Sequence, residues 1–294
     1  MPLPTTYLFV PGNRPERFDK AMASGAGAVI VDLEDAVAPA EKAGARATVA
    51  AWYEAAAGAA KSARFAKSAS SEDAAPAADI AAAELPVLIR INDVTTPWFE
   101  DDLAMLREAA VRAVMLPKCE QPEQVTQVLA AMPAGAAVMA LIETARGLLN
   151  VERIAAAPGV SRLAFGTLDY AVDLDLSDDP RGLLYPASRI AIASRAAGIA
   201  SPVAGVTPDI RDEARLLAEL SDARACGFGA KLCIHPTQVA WVRQALRPSA
   251  ADVQWADRVI AAAESSSGAV QLDGKMVDRP VLLKARAILD RAAD

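Results

Sequence analysis

Eight apolar, β-branched runs recur along the 294-residue chain, and a helical pattern follows each of them. They read "TYLFVP" (6–11), "AVIVDLED" (28–35), "VLIRIN" (87–92), "AVMLPK" (113–118), "AVMALIET" (137–144), "RLAFGTLD" (162–169), "SPVAGV" (201–206) and "AKLCIHP" (230–236). Helical periodicity fills the intervals, for example at 15–24, 98–110, 121–131, 146–156, 186–198, 211–226 and 237–246. Runs that are apolar on both faces belong to parallel sheets covered by helices. Eight such units predict a closed (β/α)8 TIM barrel of the α/β class rather than an open doubly wound sheet. No GxGxxG follows the first run, which also argues against a dinucleotide-binding sheet.

The barrel domain is expected to span 1–249, with 250–294 as a C-terminal helical extension that packs on a neighbouring subunit. Residues 56–84 are rich in Ala and Ser without an apolar stripe. They read as the end of the second helix followed by a mobile insertion.

Composition removes several classes of function. A net charge of −7 argues against a nucleic-acid binder, which needs a basic surface. No run approaches the roughly 20 apolar residues of a membrane span. The start "MPLPTTYLFVPG" lacks the charged segment and long apolar core of a signal peptide, so a cytoplasmic protein is expected. Cys119, Cys226 and Cys233 form no CxxC pair and no zinc spacing. His235 is the only histidine, which removes every mechanism that needs a histidine pair.

Polar residues collect where the apolar runs end. The second run ends in Asp32, Glu34 and Asp35, and the third carries Arg90 and Asn92. The fourth ends in Lys118, the fifth in Glu143 and Thr144, the sixth in Asp169, and the eighth in His235 with Lys231 at its start. In a barrel all these ends meet at one face, where active sites form. Glu143 and Asp169 together offer oxygen ligands suited to Mg²⁺, with Glu34 placed to hold one of the ion's waters. Alternatively, Glu143 caps the following helix and Asp169 forms a turn. Arg90 pairs with Asp32 or Glu34, or anchors an anionic substrate. Arg14 in "PGNRPER" belongs either to an anion-binding turn or to a plain helix start. His235 reads as a satisfied core histidine or a site residue, and Lys118 and Lys231 as supporting charges.

Together "LFVPGNRPERFDKA", "VIVDLEDAVAPAEKAGAR", "LIRIN", "VMLPKCE", "LIETARGLLN", "FGTLDYAVDL", "GAKLCIHPTQV" and "DGKMVDRP" resemble the citrate lyase β-subunit-like proteins of the HpcH/HpaI aldolase superfamily. The resemblance implies a barrel of the phosphoenolpyruvate-binding type, Mg²⁺, and C–C lyase chemistry on citryl-, malyl- or citramalyl-type CoA thioesters, yielding an acyl-CoA and a 2-oxo acid. It implies Glu143 and Asp169 as metal ligands, with Glu143 also beside the substrate, and Arg90 as a substrate contact. It also implies Asp278 as an acid/base group delivered to a neighbouring subunit of a homotrimer or hexamer. Relatives running thioester hydrolysis or malate/citramalate synthase-type condensation keep those reactions open, as does the β-subunit of a multi-subunit citrate lyase with an acyl-carrier thioester. The 56–84 stretch departs from the family pattern.

Overall fold

The computed structural model describes residues 3–68, 85–177, 179–264 and 270–293. Eight parallel strands form a closed barrel in sequence order: β1 (Thr6–Pro11), β2 (Ala28–Asp32), β3 (Val87–Arg90), β4 (Ala113–Leu116), β5 (Ala137–Ile142), β6 (Val160–Phe165), β7 (Ala200–Ala204) and β8 (Ala230–Cys233). β1 pairs with both β2 and β8, so no strand is left as an edge. This is the expected (β/α)8 barrel.

Strand side chains alternate between the two faces, and one set fills the barrel. Tyr7, Ala28, Ile30, Met115, Met139, Leu141, Ala164, Val203, Ala230 and Leu232 pack there. Alanines beside Met, Ile and Tyr let large side chains interdigitate without a central void. Arg162 continues this inward set at the N-terminal end of β6 and closes the floor. Its Nε donates to Ser201 O (2.6 Å), and its Nη1 to Pro4 O (2.5 Å) and the Tyr7 hydroxyl (3.1 Å). A buried guanidinium is tolerated there because carbonyls and a hydroxyl receive its hydrogens.

Around the barrel run α1 (Phe18–Met22), α2 (Lys42–Ser68), α3 (Phe99–Glu108), α4 (Pro122–Ala130), α5 (Ala145–Leu149), α6 (Val151–Ala155), α7 (Thr167–Asp173), α8 (Leu184–Ala196), α9 (Glu213–Ala225) and α10 (Pro236–Leu246). The helix expected at 146–156 is two short helices that meet at Asn150, whose Nδ2 donates to Glu120 O (2.8 Å). The N-terminal helix expected at 15–24 is a 3₁₀ turn, Pro15–Arg17, followed by α1. The helix α2 continues to Ser68, through the first part of the 56–84 stretch, and 69–84 lie outside the described residues.

The chain divides into compact units at Val242/Arg243, inside α10 and a few residues before the boundary expected at 249/250. The C-terminal unit contains α11 (Ala250–Glu264), the hairpin β9 (Val270–Leu272) and β10 (Lys275–Val277), and α12 (Arg279–Ala293). Its own core is Ala256, Val259, Ala285 and Ile288, flanked by Trp255, Leu282 and Leu289. The hairpin turns on Asp273 (φ 51°) and Gly274 (φ 75°), the left-handed pair that a two-residue hairpin loop requires. Among the described residues no helix is long and apolar enough to cross a membrane.

Candidate active site

The inward alternation that fills the barrel continues to its mouth. Two residues beyond Ile30 stands Asp32, and two beyond Leu88 stands Arg90, directly paired with Asp32 in the strand register. The same step leads from Leu141 to Glu143 and from Ala164 to Gly166. A register that buries an apolar layer therefore forces charged residues into the next layer.

Those charges alternate in sign along their chain of contacts, from Asp32 to Arg90 to Glu34 to Lys118. Asp32 holds the Arg90 guanidinium as a fork: Nε donates to Oδ1 and Nη2 to Oδ2, both at 2.7 Å. The guanidinium also lies 4.9 Å from the centroid of the Phe9 ring. Arg90 Nη1 is 2.9 Å from Glu34 Oε2 and 3.6 Å from Asp35 Oδ2. Glu34 Oε1 accepts from Lys118 Nζ at 2.9 Å. Glu143 Oε1 accepts from the Lys118 backbone N–H at 2.8 Å. Glu34 Oε2 is buried without a hydrogen bond, so its contact with Arg90 pairs the charges without the alignment of a hydrogen bond.

Burial sets the protonation of these groups. It raises the Glu143 pKa to about 8, reinforced by the negative charge of Glu34 and, further down, of Asp169. Burial also raises Glu34, against the opposing pull of Arg90 and Lys118. Burial would lower Lys118, but its hydrogen bond and charge pairing with Glu34 prevail and raise it. Arg90 is likewise raised, because Asp32 and Glu34 outweigh its desolvation.

Asp169 stands in the first turn of α7 and not at the end of the sixth strand as expected. β6 stops at Phe165, and Gly166 turns the chain into the helix. A Cβ at Gly166 would lie 2.3 Å from Glu143 Oε2, so glycine makes room for that carboxylate. Glu143 does not cap the next helix. Thr144 does, accepting from Gly147 N at 3.0 Å.

Other expected residues lie elsewhere or do another task. His235 is no core histidine: its Nδ1 accepts from Thr237 N at 3.2 Å at the start of α10. Lys231 faces outward from β8, where Nζ donates to Gly205 O (2.8 Å) and stands 3.6 Å from Glu219. Arg14 is exposed beside the 3₁₀ turn. Asn92 turns to Asp102, whose Oδ2 accepts from both its N (2.8 Å) and its Nδ2 (2.7 Å). Asp278, in the C-terminal unit, accepts from Val281 N (3.1 Å) at the start of α12.

Lys42 is a residue that strand-end reasoning missed. Its buried Nζ donates at 2.7 Å to both Leu33 O and Glu34 O, fixing the loop that carries the acidic cluster. The signal was present in "EKAGAR", where a lysine opens the helix that follows that cluster.

The sequence profile of the family described as HpcH/HpaI aldolase/citrate lyase matches residues 5–66 and 55–236. A citrate lyase subunit beta-like protein of Deinococcus radiodurans is 36% identical, over 98% of this chain and 97% of its own. A (3S)-malyl-CoA thioesterase of Cereibacter sphaeroides is 32% identical, over 98% and 94%. Among solved structures, protein CitE from Mycobacterium tuberculosis in complex with magnesium, acetoacetate and coenzyme A superposes with a TM-score of 0.78 at 35% identity, covering 99% of this chain and 98% of that one. The closed eight-stranded barrel agrees with the structural comparison, and the chain belongs to the HpcH/HpaI aldolase/citrate lyase family.

Proposed function

We propose that this chain is a Mg²⁺-dependent C–C lyase that cleaves a citryl-, malyl- or citramalyl-type CoA thioester into an acyl-CoA and a 2-oxo acid. The observation that carries the reading is the alternating array at the mouth, which reaches Glu143 through the Lys118 N–H, with the charge of Asp169 near enough to raise the Glu143 pKa. The solved relative with magnesium, acetoacetate and coenzyme A supports the ligand classes.

The residues present fit the ion. Glu143 spends one oxygen on Lys118 N–H and turns the other to the side-chain-free Gly166. Glu34 Oε2 accepts no hydrogen bond and meets Arg90 Nη1 by charge alone, which would leave it able to accept from a water of the ion. Among the described residues no three His, Cys, Asp or Glu side chains gather for a metal. Two carboxylates with waters and substrate oxygens suit Mg²⁺, which dehydrates reluctantly.

Once bound, Mg²⁺ would chelate the 2-hydroxy acid end of the substrate and acidify its hydroxyl. Glu143 and Asp169 would hold the ion and Glu34 would orient its water. Arg90, fixed by Asp32 and with Nη1 beside Glu34, would turn its second Nη2 hydrogen to an oxygen that gains negative charge as the C–C bond breaks. Asp278 would deliver a proton to the thioester enolate carbon, or remove it in the condensation direction. Acting in trans within a homotrimer or hexamer, it would come from another protomer's C-terminal unit. Mixing Asp278→Asn with Glu143→Ala protomers should then restore part of the activity, because some mouths regain both groups. Rescue that fails despite demonstrated subunit exchange removes the trans arrangement.

Thioester hydrolysis is the second reading, favoured by the 32% identical malyl-CoA thioesterase. A panel of 3-hydroxyacyl-CoA thioesters, assayed with and without Mg²⁺, decides between them. The lyase releases a 2-oxo acid and an acyl-CoA. The hydrolase releases free CoA and the intact hydroxy acid. Neither product with any thioester, while an acyl-carrier thioester is turned over with added subunits, would make the chain a β-subunit of a larger lyase.

A further inference from the structure

Lys118 is one of four described non-glycine residues with positive φ, at 44°. An unbranched lysine gains nothing from the left-handed region, which is disfavoured for any side chain beyond glycine. Such a conformation persists where the surroundings over-determine it. Here they do so from several directions. Cys119 N donates to Leu141 O at 3.1 Å, and Asn150 Nδ2 to Glu120 O at 2.8 Å. Thr144 Oγ1 donates to Glu120 Oε1 at 2.8 Å. A Cβ at Gly147 would lie 2.7 Å from Cys119 O, so the loop after β4 is pressed onto the loop after β5.

The turn thus made lets one residue serve two carboxylates. Its backbone N–H reaches Glu143 Oε1 at 2.8 Å while its Nζ reaches Glu34 Oε1 at 2.9 Å. Glycine would adopt this backbone more easily, so the presence of a lysine is explained by its ammonium. Without that ammonium, Glu34 would keep only its contact with Arg90, and would compete with Asp32 for the guanidinium.

We propose that Lys118 is a positioning residue with two separable functions: its backbone N–H sets Glu143 for the metal, and its ammonium holds Glu34 so that Arg90 stays in the Asp32 fork. The assignment rests on the proposed reading for Glu143 as a metal ligand and for what Arg90 then does. The two functions predict a split. In Lys118→Met the backbone arm survives and the ammonium is lost.

The experiment compares Lys118→Met, Lys118→Arg and Glu143→Ala with the wild type. Mn²⁺ affinity is read by electron paramagnetic resonance, the Lys118 amide by ¹⁵N nuclear magnetic resonance with added Mg²⁺, and kcat and KM by thioester cleavage. Lys118→Met should keep Mn²⁺ affinity within about threefold and lose about 10–100-fold in kcat, the range for loss of a group that orients a ligand. Lys118→Arg should recover much of that kcat. The residue-118 amide should shift with Mg²⁺ in the wild type and in Lys118→Met alike. Normal kcat in Lys118→Met overturns the ammonium function. A Mn²⁺ loss as large as in Glu143→Ala, or an amide that ignores the ion, overturns the backbone function. If the wild type cleaves no thioester, the lyase reading fails, and Mn²⁺ affinity with the amide shift still decides whether Lys118 sets Glu143.

Discussion

Glu143→Ala is expected to abolish lyase turnover, by more than about 10³-fold, and to weaken Mg²⁺ binding at least about 100-fold. The barrel should remain folded, because Glu143 lies in the charged layer above the apolar fill. Gly166→Ala should reproduce much of the defect without touching a ligand, since its Cβ would fall 2.3 Å from Glu143 Oε2. Titration calorimetry checks both variants, and unchanged Mg²⁺ affinity in Glu143→Ala would refute the ligand assignment. The pH dependence carries a second signature. In the metal-free protein the Glu143 pKa is about 8, against an ordinary 4.5. Between those values the folded state binds a proton that the unfolded chain has lost. Stability of the metal-free protein should therefore fall as pH rises through that window, by at most about 1.4 kcal/mol per unit. Mg²⁺ needs the ionised carboxylate, so its affinity should rise with pH up to about 8 and then level off. Glu143→Gln should flatten both trends.

Arg90→Lys is expected to cut kcat/KM by about 10²–10³, although the charge is retained. An ammonium cannot span both Asp32 oxygens, which the guanidinium meets at 2.7 Å each, and still reach Glu34. One buried carboxylate would then lose its partner, a change that costs about 3–5 kcal/mol when a buried pair is broken. Thermal unfolding and steady-state kinetics separate the two consequences. A lower Tm with normal kcat/KM in the folded fraction would make Arg90 a structural ion-pair partner alone.

Strand parity was the most legible part of the site. Ile30–Asp32, Leu88–Arg90 and Leu141–Glu143 are spaced by two, so a chain that buries the first of each pair turns the second toward the same axis. Asp169 was harder to place, because "RLAFGTLD" reads as one continuous run and only Gly166 marks the change to helix. His235 misled for a similar reason: "CIHPTQ" continues the strand pattern, yet Pro236 begins α10 and the imidazole serves that helix. Nothing in "PKCE" announces a left-handed backbone at Lys118. That conformation comes from contacts with a loop about 25 residues downstream, which local pattern cannot report. Whether the buried charge of Arg90 was met by protein or by ligand was also undecidable from spacing, because its partners lie at the end of another strand and in the loop after it.

The Arg162 floor has a consequence for traffic. With its guanidinium satisfied by Ser201, Pro4 and Tyr7, the bottom of the barrel is sealed by polar bonds as well as by packing. With the apolar fill above it, no passage runs along the barrel axis, and whatever binds at the mouth must leave by the way it came. Two ligands lodged at different depths cannot depart independently: the shallow one must clear the passage before the deep one can pass. Sequence of departure is then dictated by depth, a rule set by the packing of the barrel and its floor and not by any residue that would touch the ligands.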